Sequence, residues 1–192
     1  MLKQSMAMLM AAVPACASPS PGDLNNAMET APIQVIVEDP QWVCVGCSPA
    51  ETKTVEYLQT KTKITDRNAL ATIMGNIKQE SKFIPNICEG GARVSYENCL
   101  SGGYGLIQWT SIGRYKGLGN FCAKFNCDPS SLEGQLHYMV NEPIFQRVLP
   151  QFEGHGDTIP QYMGSAYTWL GWGIKGNREV YAYQYLNKLV FA

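Results

Sequence analysis

The side chain with the clearest chemical potential in this sequence is Glu80. It closes an apolar-periodic stretch as Gln79-Glu80-Ser81, and a loop separates it from Gly103-Tyr104-Gly105-Leu106-Ile107-Gln108-Trp109. A carboxyl group sheltered by apolar neighbours keeps its proton toward neutral pH, because burial disfavours the charged form. Such a group can act as a general acid. The downstream segment carries what a proton donor needs around it. Tyr104 and Trp109 offer apolar walls, and the glycines let backbone approach a ligand closely. The Gln108 amide both donates and accepts hydrogen bonds, which suits a hydroxyl or an N-acetyl group. Glu80 alone reads as a solvated acid on a helix surface; the Gly-rich segment behind it favours the chemical reading. Trp169 and Trp172 read as core or cleft edge.

A helix must position this acid. Asp66 is a good N-cap, and Leu70, Ile73, Met74 and Ile77 recur at i, i+3, i+4 and i+7. This stripe predicts a helix from Asp66 to about Ser81, stopped by Phe83 and Pro85. Val55 and Leu58 predict a short helix within residues 52–61. Residues 84–103, with four glycines and two cysteines, predict a loop or small hairpin. Further helices are expected over 111–125, from Ser130 or Ser131 through Val140, and over 144–152. Two more are expected, one capped by Asp157 and ended by Gly171-Trp172-Gly173, the other starting at Asn177. In that last helix Val180, Tyr181, Tyr185 and Leu189 form the expected apolar face. The sum is an α+β chain, mostly helical, with one irregular or β-containing loop.

The N-terminal part differs in composition. Pro14, Pro19, Pro21, Pro32, Pro40 and Pro49 block continuous helix and favour an extended connector. Residues 33–37 could add one short strand there. The reading is a proline-rich extended arm over residues 1–50 and a folded domain over 51–192. Lys3 precedes an apolar run over residues 5–13, followed by Ala15-Cys16. That pattern fits a short signal peptide with a lipoprotein-like junction, or an uncleaved apolar helix that packs on a partner. The run is too short to span a bilayer.

Sixteen acids against fifteen bases give a net charge of −1. No basic stripe favours nucleic acid, and no charge block marks an interaction tail. Seven cysteines are many for a reducing cytosol. Disulfides between Cys88 and Cys99 and between Cys122 and Cys127 are favoured over free thiols. Zinc at Cys44-Val45-Gly46-Cys47 ranks lower, since no second Cys-x-x-Cys is present, and a thioredoxin-like role lacks a helix starting at Cys44. His137 and His155 lack metal-ligand spacing, so no metal site is expected.

Several segments together resemble the phage tail lysozyme family. Met74-Gly75-Asn76-Ile77-Lys78-Gln79-Glu80-Ser81-Lys82-Phe83-Ile84-Pro85-Asn86 looks like its first motif. Tyr104-Gly105-Leu106-Ile107-Gln108-Trp109 matches its second, with Arg114 following at a suitable distance. Leu132 to Glu142 resembles its third, helical segment. The resemblance covers roughly residues 64–189, and residues 1–63 have no counterpart in it. It implies a lysozyme-like fold, no cofactor, peptidoglycan as substrate, and Glu80 as the acid that cleaves the bond between N-acetylmuramic acid and N-acetylglucosamine. It also implies a virion tail protein acting in the host periplasm, with residues 1–63 docking to other tail proteins. Catalytically weak structural virion component, secreted lytic transglycosylase and envelope lipoprotein remain alternatives. More distantly, the motifs are similar to those of goose-type lysozymes and lytic transglycosylases. Their Ala-Tyr pair would be Ala166-Tyr167, making Tyr167 a substrate-binding candidate, although Thr168 stands where Asn usually follows. A second carboxylate, if used, would be Glu89 or Glu97. Inverting hydrolysis places it about 6.5–9.5 Å from the acid and retaining hydrolysis about 5–5.5 Å, whereas transglycosylation needs none.

Overall fold

The computed structural model describes residues 41–192. The apolar N-terminus, the Ala15-Cys16 junction and the strand expected over 33–37 lie outside the described residues. The described chain is α+β and mostly helical. It begins with β1 (Trp42–Cys44), followed by α1 (Pro49–Lys61), α2 (Arg67–Ser81), α3 (Ile112–Phe125) and α4 (Leu132–Asn141). It continues through α5 (Pro143–Phe152), α6 (Ile159–Leu170) and α7 (Arg178–Lys188) to β2 (Leu189–Phe191). β1 and β2 pair antiparallel, Trp42 opposite Phe191. The arm expected over residues 1–50 therefore gives its last part to the folded unit. Trp42 fixes that part, donating from Nε1 to the Thr65 carbonyl at 2.8 Å.

α2 is the central helix. Every residue from Ala69 to Ile77 is buried, so it is wrapped by neighbours on all sides rather than laid on a surface. Asp66 caps it, its carboxylate accepting from the backbone N–H groups of Asn68 and Ala69. α7 crosses it at Gly75, where an added Cβ would meet the Ala182 backbone nitrogen at 2.4 Å. Only glycine permits that approach.

Three further helices start from serine caps: Ser48 for α1, Ser111 for α3 and Ser131 for α4. α6 is capped at Thr158, not Asp157, because Gln161 reaches back to accept from the Thr158 N–H. The last helix also turns differently from the expected face. It buries Arg178, Ala182 and Tyr185, and leaves Val180 exposed. Small Ala182 wins the inward position because the Gly75 contact demands it.

The segment between α2 and α3 is held by isolated bridges, Ile87 to Arg93, Cys88 to Tyr104 and Tyr104 to Trp109, and by a 3-10 turn at Tyr96–Asn98. Cys88 is bonded to Cys99 and Cys122 to Cys127, and Cys44–Cys47 closes a third disulfide. Among the described residues no helix is long and apolar enough to cross a membrane.

Candidate active site

Glu80 lies in the last turn of α2. The chain leaves the helix there through two consecutive non-glycine residues at positive φ, Lys82 (54°) and Phe83 (63°). That backbone is costly for bulky side chains. It is held by burial of Phe83, whose ring meets Tyr185 edge-on at 5.9 Å. Next to Glu80, the Ser81 hydroxyl donates to the Leu106 carbonyl at 2.8 Å. The Leu106 N–H donates to Gln135 Oε1 at 2.8 Å, and Gln135 Nε2 donates to the carbonyls of Pro85 and Pro129. Gln135 is fully buried. It thus clamps the 103–109 segment against the end of α2 from a third helix. Gly105 makes room for it, since a Cβ there would lie 2.4 Å from Gln135 Oε1.

The result is a cleft of 710 Å³ whose walls include Glu80, Ile107, Gln108, Arg114, Trp172 and Arg178. The Glu80 side chain is 17% exposed, sheltered yet open to the cleft. Gln108 also has positive φ, 52°, and its Nε2 donates to the Gly105 carbonyl at 3.0 Å. Burial raises the Glu80 carboxyl above its ordinary value, against the opposing pull of the Arg178 and Arg114 guanidinium groups. Arg178 donates directly to Glu80 Oε1. Arg114 makes a two-pronged contact with Glu142, at 2.5 Å from Nε and 2.7 Å from Nη2. The Glu142 residue is only 2% exposed.

The expected site residues divide. Glu80 and Gln108 meet at the cleft. Tyr104 and Trp109 do not reach it: both are fully buried. Tyr104 hydrogen-bonds the Val94 carbonyl, and Trp109 packs on Tyr138. The expectation that they form its walls is corrected, because Ile107 and the partly exposed Gln108 are the residues of this turn that line the cleft. The indole at the cleft is Trp172, with which the half-exposed Tyr167 ring makes an edge contact at 5.2 Å. Glu89 and Glu97 are exposed and do not line the cleft. The Glu89 carboxylate instead accepts from the Gly103 N–H at 3.0 Å, fixing the loop. Arg178, buried at the start of α7, is the site residue that the sequence reading missed. The Gly171-Trp172-Gly173 signal before it marked a helix end and nothing more.

The fold and site define a mostly helical domain with one sheltered carboxyl facing a groove of sugar-binding size. The phage tail lysozyme family matches residues 50–167, and the chain belongs to that family. No curated protein and no solved structure matches it significantly. Membership makes it a lysozyme-like glycosidase of phage, directed at peptidoglycan.

Proposed function

We propose that the chain cleaves the bond between N-acetylmuramic acid and N-acetylglucosamine, with Glu80 as general acid. The observation that carries this is the placement of Glu80, raised in proton affinity, in a cleft beside the Gln108 amide and the Trp172 indole. In the first step the carboxylic O–H bond breaks and its proton passes to the glycosidic oxygen. The C–O bond breaks with its electron pair on that oxygen, leaving positive charge on the sugar ring. Water then adds to the anomeric carbon and returns a proton to the Glu80 carboxylate.

A second reading is lytic transglycosylation, in which the muramyl ring's own hydroxyl attacks and returns the proton. It is favoured by the cleft wall, where Glu80 is the single acid among the described residues. Product mass spectrometry separates the two, an anhydromuramyl end marking the second. Glu80→Gln should lower clearing of purified peptidoglycan by about 100-fold or more with an unchanged far-UV spectrum. Full activity in that variant would remove Glu80 from the role.

The setting we propose is the virion tail, with local wall digestion in the host periplasm and residues 1–63 docking the enzyme to neighbouring tail proteins. Because Trp42–Cys44 and α1 belong to the fold, the docking test removes residues 1–40 alone. Particles should then lack the protein while the truncated chain still clears peptidoglycan; normal incorporation would sink the tethering role.

A further inference from the structure

We propose that Arg178 is a positioning residue for the Glu80 carboxyl, occupying Oε1 and leaving Oε2 as the oxygen that hands its proton to the substrate. This deepens the proposed function and rests on it. α2 and α7 pack through the backbone contact of Gly75 with Ala182, so the distance between Glu80 and Arg178 is set by the two helices. The guanidinium is itself immobilised. Its Nη1 donates to the carbonyls of Ile174 and Lys175 at 3.0 and 2.8 Å. Its Cζ lies over the Trp172 ring, 4.7 Å from the centroid. The side chain is 5% exposed, and Nε is buried without a hydrogen-bond partner among the described residues. Nη2 meets Oε1; Oε2 has no protein partner among the described residues.

The other charged groups around Glu80 are accounted for. Arg114 from α3 acts on Glu80, but its charge is matched by Glu142. Lys78 of α2 is turned to Glu51, and Lys175 of the 171–177 loop to Glu179. Arg178 is thus the fixed cation whose carboxylate partner is Glu80 itself. When the O–H bond at Oε2 breaks and the proton moves to the glycosidic oxygen, the charge left on the carboxylate is met by a cation already in place. The Trp172 wall and the acid are set by one side chain.

The test uses full-length Arg178→Met and Arg178→Lys, with the Glu80 carboxyl titration followed by carbon NMR without substrate and the pH–rate profile measured on soluble glycan chains. In Arg178→Met the Glu80 midpoint and the alkaline limb of the rate should both rise by about one pH unit or more. Arg178→Lys keeps a cation but not the bridge to both loop carbonyls. It should move the midpoint less, and lower kcat about 10-fold with KM little changed. The Ile174 and Lys175 carbonyls sit in an exposed loop, so water can replace their lost partner; should Arg178→Met still not fold, the kcat against KM split of Arg178→Lys decides. An unmoved midpoint in Arg178→Met, or an unchanged kcat in Arg178→Lys, overturns the inference in an active chain. Absence of cleavage by the native chain overturns the function on which it rests.

Discussion

Glu80 carries opposing influences, and their balance fixes how the protein should respond to pH. Burial raises its proton affinity while Arg178 and Arg114 lower it, and burial prevails. A raised folded value means that the native state holds this proton more tightly than the unfolded chain does. The associated stabilisation is present at lower pH and is lost as pH rises through the folded value. In the proposed mechanism the same protonated form is the one that acts. The pH–rate profile of peptidoglycan cleavage should therefore fall on its alkaline side with a midpoint above the ordinary carboxyl range, and a limb at or below that range would contradict the role of burial. Glu142 pairs with Arg114, one of the two cations that oppose burial at Glu80. Glu142→Gln should leave the Arg114 charge uncompensated toward Glu80, moving the alkaline limb to lower pH. It should also cost about 2 kcal/mol in denaturant unfolding, since the partly buried Arg114 guanidinium loses its partner.

At the level of helices and turns, the decisive contact is between α2 and α7. Gly75→Ala would push a methyl group into the α7 backbone and should destabilise by about 3 kcal/mol or more. Gly164→Ala is the control, because nothing lies within 4 Å of that position on α6; it should stabilise by about 1 kcal/mol. Thermal unfolding of the pair reads both signs. Gln135→Leu should cost about 2–3 kcal/mol, by stranding the Leu106 N–H and two carbonyls, and activity should fall with it. Such features also mark how far local pattern reaches. α2 was legible because its cap and apolar stripe are adjacent in sequence. Glu80 and Gln108 were legible because a short motif carries each. Arg178 was not, since its partnership with Glu80 spans 98 residues and depends on two helices touching through a glycine. Tyr104 and Trp109 misled because the turn is buried almost throughout, Gln108 being its one partly exposed position between Gly103 and Trp109, and local pattern does not show which residues a turn buries. The ribbon of β1 and β2 escaped notice because each strand has three residues, too few for a pattern.

Across the whole domain, stability draws on the buried acid Glu51 and on three cross-links. Glu51 is tied to the Ser48 N–H, to Lys78 of α2 and to the Tyr185 hydroxyl of α7. Burial opposes its charge, yet these hydrogen bonds prevail and hold it down at about 2. Its folded value is depressed, so the stability it contributes is present above the ordinary carboxyl range. That stability should be lost as pH falls from about 4.5 toward 2, on the order of 2 kcal/mol after solvent screening. Glu51→Gln should flatten that part of the acid-unfolding curve. Reduction of Cys88–Cys99 should release the loop beside the cleft, costing about 3 kcal/mol by chain entropy and lowering activity before helical content changes. In the ribbon, the Ala192 N–H meets the Gln41 carbonyl at 2.9 Å. The two ends of the described domain therefore touch, and a peptide joining them would make a ring without bending any helix. Such a cyclised enzyme should resist exoproteases, and should refold after heating more completely than its linear parent.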